Sequence, residues 1–281
     1  MKIAFHGQRG SYAEAAAAWM FADQDIATVP TGSAQGVIDA LLSGAVQLGV
    51  LRFENTETGT NYDLLDLLRH KRLHFNREIT FHERYNLAGT RNATRKGVKR
   101  LLSHPTLFHL CSTYLSRQQG LDIIARFDTA EAFMAVATKG TPEEAVVCGD
   151  FAASIYGLSI IEAGIENNAA SATRFIALGP ELLAPQGHEG TVHTAAMFEL
   201  KHEAGALMEA LTAFKKYGIN LDVLTGRPNR AGDRGYTIYV EFNGRHSDEA
   251  NKKALAELAK FTTYLQVLGS FDIVMPRIKK A

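Results

Sequence analysis

Residues 1–51 read MKIAFHGQRGSYAEAAAAWMFADQDIATVPTGSAQGVIDALLSGAVQLGVL, and the alternation of element types along them decides the fold class. Lys2–Phe5 is a short apolar run with the length of a buried strand. His6–Ser11 is a glycine-containing turn. Tyr12–Phe21 is alanine-rich and helical. Ser11 and Glu14 form an S-x-x-E capping box, which satisfies N–H groups that the first helical turn leaves unpaired. A strand around Ile26–Val29, a helix around Ala34–Leu42 ended by Gly44, and a strand at Leu48–Leu51 follow. This β-α-β-α-β rhythm places helices on the faces of a mostly parallel sheet, an α/β architecture.

Outward from that start, the polar tract FENTETGTN (53–61) precedes a helix around Tyr62–Arg69. From Glu78 the pattern restarts, with a strand at Tyr85–Gly89. Gly97–Ser103 leads into a helix opened by Pro105, a residue suited to the first helical turn. Strands are expected at Ile123–Phe127, Val146–Cys148 and Thr173–Leu178, and a helix from Thr129 to about Lys139. LLAPQGHEG (182–190) reads as a linker, because Pro, Gly and charge replace apolar periodicity there. Beyond it come a strand at Thr194–Leu200, a helix at Gly205–Tyr217, a strand near Asn220–Leu224, the alternating strand Gly235–Phe242, a helix at Asp248–Phe261 and a closing strand at Leu265–Phe271. That order is βαββαβ, the ferredoxin-like arrangement.

The length, 281 residues, suits two domains. With 46% hydrophobic and 21% charged residues the chain is of ordinary globular composition, which excludes disorder as its main state. Thirty Lys+Arg balance thirty Asp+Glu, an argument against a nucleic-acid or membrane-surface partner. No apolar run approaches the roughly 20 residues of a membrane helix, and the first residues carry no secretory-signal pattern, so a cytoplasmic location is expected. Cys111 and Cys148 form no CxxC and read as buried thiols. The absence of H-E-x-x-H argues against a metal site of that kind, and the absence of G-x-S-x-G against an α/β-hydrolase.

Four short stretches could carry chemistry. Gly7-x-x-Gly10-Ser11 opens a helix, where backbone N–H groups either grip an anion or serve only a tight turn and cap. Glu54-Asn55-Thr56 with Gly59 lies beyond a strand's carboxyl end, where open α/β sheets bind ligands, or is a solvated loop. In Ser103-His104-Pro105 the histidine either titrates near neutrality or caps the next helix. In Thr173-Arg174-Phe175 the arginine either grips a carboxylate through two parallel hydrogen bonds or sits on the surface beside a core phenylalanine.

Taken in order, these pieces resemble the prephenate dehydratase family. Gly7–Tyr12 matches its G-x-x-G-(S/T)-(Y/F), Glu54-Asn55-Thr56 and Gly59 its E-N-S…G, Ser103-His104-Pro105 its S-H-P, and Asp128–Ala132 its (S/D)-T-A-x-A. Ala152, Ala153, Tyr156, Gly157 and Leu158 are similar to its A-A-x-x-Y-G-L, Thr173-Arg174-Phe175 to its T-R-F, and Gly205-Ala206-Leu207 to the G-A-L of its ACT domain. There are departures. Leu110 stands where the family has glutamine, and Thr225-Gly226-Arg227-Pro228 where the ACT motif reads E-S-R-P, which weakens the case for feedback by phenylalanine.

The resemblance implies two α/β lobes like a periplasmic binding protein over 1–184 (lobe 1 about 1–78 and 156–184, lobe 2 about 79–155), with an ACT domain over 190–281. It implies a cofactor-free, metal-free conversion of prephenate to phenylpyruvate, water and carbon dioxide in a homodimer or homotetramer, with L-phenylalanine as effector. The rival readings are arogenate dehydratase and a non-catalytic two-lobed sensor.

It also implies the roles of the residues. Thr173 would hydrogen-bond the leaving hydroxyl, and Phe175 would wall the ring pocket or pack in the core. A charge argument gives Arg174 the pyruvyl carboxylate, because pairing with the departing one would stabilise the ground state more than the transition state. Gly10, Ser11, Glu54, Asn55, Thr56, Ser103 and His104 would bind substrate. Gly205, Ala206, Leu207, Thr225, Gly226, Arg227 and Pro228 would bind effector. One point comes from strand geometry alone: Thr173 and Phe175 share a face, and Arg174 points to the other.

Overall fold

A computed structural model describes residues 1–126, 129–139, 141–187, 191–228 and 235–275. The first lobe contains β1 (Lys2–His6), α1 (Tyr12–Met20), β2 (Ala27–Thr31), α2 (Ala34–Leu42), β3 (Leu48–Asn55), the two-residue β4 (Gly59–Thr60), α3 (Tyr62–Leu68) and β5 (His74–His82). β1 lies parallel between β2 and β3, as the opening rhythm requires. Ser11 and Ser33 cap α1 and α2 by accepting the amides of Glu14 and Gly36. The alanine face of α1 packs on Ile3, Phe5 and Val50 of the sheet.

The second lobe runs β6 (Asn86–Gly89), β7 (Arg100–Ser103), α4 (Pro105–Leu110), α5 (Ser112–Leu115), β8 (Asp122–Ala125), α6 (Thr129–Lys139), β9 (Glu144–Cys148), α7 (Asp150–Tyr156) and β10 (Ser159–Ala163). Its sheet order is β10-β6-β9-β7-β8. The chain then returns to the first sheet as β11 (Ala172–Gly179), antiparallel between β3 and β5. Phe127 and Asp128, expected to end a strand and open the D-T-A motif, lie outside the described residues.

The lobe crossings fall later than the expected positions near 78 and 156. β5 continues in the first sheet to His82, and β10 pairs with β6 in the second. The polar sequence HFNREITFH hid β5, and SIIEA forms a largely solvent-facing edge that hid β10.

Beyond the linker come β12 (Val192–Leu200), α8 (Ala206–Lys216), β13 (Leu221–Pro228), β14 (Tyr236–Asn243), α9 (Glu249–Leu258) and β15 (Thr262–Val274). Their sheet order, β13-β14-β12-β15, is that of a ferredoxin-like domain. Residues 188–190, the end of the expected linker and the start of the expected second domain, are outside the described residues.

The C-terminal domain is joined to the first lobe through its sheet. β15 pairs in parallel with β5, Asp272 opposite Arg77 and Val274 opposite Ile79. Among the described residues this makes one ten-stranded sheet. A single apolar core then holds Phe53, Phe75 and Leu178 of the first lobe with Met197, Tyr239 and Phe271 of the C-terminal domain. The linker is anchored too: the amides of Gln186 and Gly187 donate to Asp272, and that of Leu183 to Asn76.

Candidate active site

The side chains of β11 alternate between two environments. Thr173 is fully buried and lies opposite Asn55 at the end of β3. Asn55 Nδ2 donates to Thr173 Oγ1 at 2.8 Å and to Ser171 Oγ at 3.2 Å. Its Oδ1 accepts the amides of Glu57 at 2.9 Å and Thr58 at 3.2 Å. Those two amides fix which end of the side chain faces Thr173. An amide N–H only donates, so Thr173 Oγ1 is the acceptor there and keeps its own proton to offer elsewhere.

Asn55 and Ser171 also line a cavity of ≈ 290 Å³ between the lobes. Arg52, Glu57 and Thr58 line it from the first lobe, Thr106, His109 and Leu110 from the second, and Glu83, Tyr85, Glu166, Asn167 and Asn168 from the crossings. Thr173 thus sits one side chain beneath the floor of the interlobe cleft.

The lobes are in contact across that cleft. Tyr156 donates to the carbonyl of Arg9 at 3.1 Å, and Tyr12 donates to that of Arg84. Asn168 donates to Glu57 at 2.5 Å. In the crossings, Glu166 pairs with Arg84 at 2.8 Å and accepts the amide of Tyr85 at 2.9 Å.

Arg174 is not in the cleft, which corrects its expected role as a carboxylate clamp. Strand alternation turns it to the far face of β11. There its Nη2 lies 2.5 Å from Glu78 and 2.7 Å from Glu241 of the C-terminal domain. Burial acts to lower its pKa, but the Glu241 and Glu78 carboxylates outweigh burial and hold it above the ordinary guanidinium value. Glu54 follows it to that side, at 3.7 Å, rather than facing a ligand. Phe175 is core: its ring stacks on Phe81 at 5.3 Å within the cluster that holds α1.

The remaining expected binders divide in the same way. Thr56 Oγ1 accepts the amide of Ala172 at 3.0 Å, tying the Glu54–Thr56 loop to the start of β11. Ser103 is buried and donates to the carbonyl of Val147 at 3.3 Å. His104 Nδ1 caps α4 by accepting the amide of Thr106 at 3.2 Å. It is α4, not the Ser-His pair before it, that faces the cleft.

The anion seat of the Gly10–Ser11 loop is filled by the protein itself. Glu14 accepts the amide of Gly10 at 2.6 Å and the hydroxyl of Thr28 at 2.7 Å. Gly10 serves lobe contact instead. At φ +86° it packs so closely that a Cβ would lie 3.1 Å from both Ala152 and Tyr156.

Sequence reasoning missed Arg52, Glu83, Tyr85, His109, Glu166 and Ser171. They belong to no single motif, and only their positions at strand ends and crossings could have flagged them. His70 and His74 have the four-residue spacing of a helical ligand pair, but His70 lies at φ 60° outside α3 and His74 opens β5. Among the described residues no group of three or more His, Cys, Asp and Glu is arranged to hold a metal, and no helix is long and apolar enough to cross a membrane.

In the C-terminal domain, Ala206, Leu207, Thr225 and Gly226 line a cavity of ≈ 370 Å³ whose walls include Leu200, Leu224, Tyr236 and Ile238. Gly205 caps α8 at φ 90° behind it. Arg227 and Pro228 face a neighbouring cavity shared with Thr60–Asp63 of the first lobe. Arg227 pairs with Asp66 at 3.2 Å and Asp63 at 3.4 Å, so its charge is directed at α3 rather than into the first cavity.

Two α/β lobes around a polar cleft, carrying a C-terminal ferredoxin-like domain, define a two-lobed cleft protein. The family model described as prephenate dehydratase matches residues 3–182. The chain is 32% identical over 285 residues to an arogenate dehydratase/prephenate dehydratase of Arabidopsis thaliana, covering 97% of this chain and 73% of that protein. The chain belongs to the prephenate dehydratase family, a family of carbon–oxygen lyases.

Two solved structures are similar over the whole length. One, described as GqqA, a novel type of quorum quenching acylase, has a TM-score of 0.81 and 26% identity, covering 97% of this chain and 98% of its own. The other, a prephenate dehydratase of Arthrobacter aurescens in complex with L-Phe, has a TM-score of 0.80 and 24% identity, covering 97% and 90%.

Proposed function

We propose that the chain converts prephenate to phenylpyruvate, water and carbon dioxide, with Thr173 assisting departure of the hydroxyl. The observation that carries this is the Asn55–Thr173 pair at the base of the cleft. Loss of carbon dioxide frees the pair of the broken carbon–carboxylate bond, which becomes a ring π bond. The neighbouring π bond shifts toward the carbon bearing the hydroxyl, the ring becomes aromatic, and the pair of that carbon–oxygen bond leaves with the hydroxide. The hydroxide takes a proton and becomes water. A donor aimed at the leaving oxygen stabilises charge that exists only as the bond breaks. Asn55, by donating to Thr173 Oγ1, favours partial negative charge on that oxygen and strengthens the O–H as a donor. No metal or coenzyme is required by this route.

The buried position of Thr173 supports the sheltering part of the mechanism, since a dry carboxylate loses carbon dioxide more readily than a hydrated one. Arg52, exposed at the cleft wall, is the cation that a substrate carboxylate would meet. Separation of the lobes about the crossings at 83–85 and 164–171 would admit substrate.

A second reading, arogenate as substrate, is favoured by Glu83. It lines the cleft, and its carboxylate accepts the Tyr85 hydroxyl at 2.9 Å, so it stands ready for a substrate ammonium. The C-terminal cavity suits an aromatic amino acid such as L-phenylalanine as effector. Two buried thiols fit a reducing cytoplasm. The exposed edge of β13 offers a surface for a homodimer or homotetramer.

The test is turnover of prephenate and of arogenate by the purified chain, with hydrolysis of an N-acyl amide run in parallel. Phenylpyruvate or phenylalanine should form, and Thr173→Ala should lower kcat by about 10²-fold or more. Amide hydrolysis with no dehydration, or undiminished turnover by Thr173→Ala, would overturn the reading.

A further inference from the structure

Arg174 follows the catalytic-strand threonine directly, yet its guanidinium faces away from the cleft and is buried against the C-terminal domain. Its Nη2 lies 2.5 Å from Glu78 Oε2 on β5 and 2.7 Å from each oxygen of Glu241 on β14. Its guanidinium lies over Phe53, 4.9 Å from the ring centroid. Tyr239, fully buried, donates its hydroxyl to Glu241. One strand thus carries Thr173 on its cleft side, beneath the floor formed by Asn55 and Ser171, and, one residue on, is held from behind by a carboxylate of another domain.

A buried ion cluster of this kind is a poor stabilising device, because desolvation offsets most of its Coulomb energy. What it does supply is direction: a guanidinium held by two carboxylates has one low-energy placement. β11 needs such a guide at this point, because its register with β3 shifts between Arg174 and Phe175. β14 also carries Tyr236 and Ile238 into the wall of the C-terminal cavity, three to five residues from Glu241. The strand that would feel an occupant of that cavity is the strand that holds Arg174.

We propose that Arg174 and Glu241 form a positioning unit through which the C-terminal domain sets the placement of the Thr173 hydroxyl. This rests on the reading of Thr173 as the group that assists the leaving oxygen. Neither Arg174 nor Glu241 touches substrate; both act through β11.

The test uses the full chain and Glu241→Gln, which removes the charge and keeps the shape. The variant should lower kcat by about tenfold with KM changed less than about twofold, the pattern of a lost transition-state interaction. Glu199→Gln is the control. It breaks another contact between the first lobe and the C-terminal domain, Arg69–Glu199 at 2.5 Å, that does not touch β11. It should lower Tm and leave kcat unchanged.

In a Thr173→Ala background, Glu241→Gln should change the residual rate by less than about twofold, since both act on one step. If Glu241→Gln fails to fold, Tyr239→Phe loosens the same carboxylate and should lower kcat by about threefold. Wild-type kcat in folded Glu241→Gln, or a full tenfold loss in both backgrounds, overturns the positioning unit while Thr173 keeps its role. Undiminished turnover by Thr173→Ala overturns both.

Discussion

Asn55→Asp separates donation from every other service that Asn55 performs. The substitution is isosteric. A carboxylate can still accept the amides of Glu57 and Thr58, now 2.9 and 3.2 Å from Oδ1, so the turn keeps its two contacts. It cannot donate. At the 2.8 Å contact the roles reverse, and Thr173 must give its proton to the new carboxylate. A hydrogen bond to a charged acceptor is worth about 1.5–3 kcal/mol, so the proton is withheld from the leaving oxygen by about that much.

At about 1.4 kcal/mol per tenfold, kcat should fall by about 10–10²-fold. Stability should fall as well, since a buried charge without a cation replaces a neutral amide, so kcat is read on folded protein. The assay is initial-rate turnover across pH 5 to 8, with thermal unfolding followed by circular dichroism. As pH falls the buried carboxylate introduced by the substitution takes up a proton and can donate again, so the relative activity of the variant should rise toward acid pH. Asn55→Asp with wild-type kcat at pH 7.5, or a deficit that stays constant with pH, would refute the donor role of Asn55.

Further outcomes follow from the geometry. Arg174→Met leaves Glu78 and Glu241 buried without their cation and should cost about 3–5 kcal/mol, a Tm loss of about 10 °C or more. Burial raises the Glu241 pKa above the ordinary value of 4.5 and Arg174 opposes that rise, so the variant's pKa climbs further. A carboxyl raised in the folded state contributes its stability below 4.5 and loses it as pH rises through the folded value, so the Tm deficit should be smallest at acid pH and grow toward neutrality. Gly10→Ala places a Cβ 3.1 Å from Ala152 and Tyr156 at φ +86°. It should cost about 1–2 kcal/mol by thermal unfolding and raise KM more than it lowers kcat, by parting the lobes. Burial, with Glu166 for Cys111 and Asp150 for Cys148, pushes both thiols up to about 12. Neither should react with a disulfide reagent at pH 8 until the chain is unfolded in denaturant.

Much of the fold is local and was open to reading. The cap at Ser11, the alanine face of α1 and the strand at Gly235–Phe242 depend on neighbours within one turn or one strand, and the structure shows each, although β14 is buried on both faces where alternation suggested one. The errors are non-local. β10 is an edge strand whose residues are mostly solvent-facing, so its identity comes only from pairing with β6. The anion seat at Gly10 looked vacant because nothing in G-x-x-G-S shows that Glu14, held by Thr28 of a different strand, turns back into it.

By itself the sequence determined the element types, the two-part organisation and the family, because helix caps, strand periodicity and ordered motifs are properties of short stretches. It also determined, through the two-residue period of a strand, that Thr173 and Arg174 face opposite ways. What lies on each side was decided by tertiary structure alone. Antiparallel registry with β3 brings Asn55 to Thr173, and addition of β15 to β5 brings Glu241 to Arg174 from 67 residues away. Such pairings are set by the burial of a shared core, and no stretch of chain contains that core before it folds.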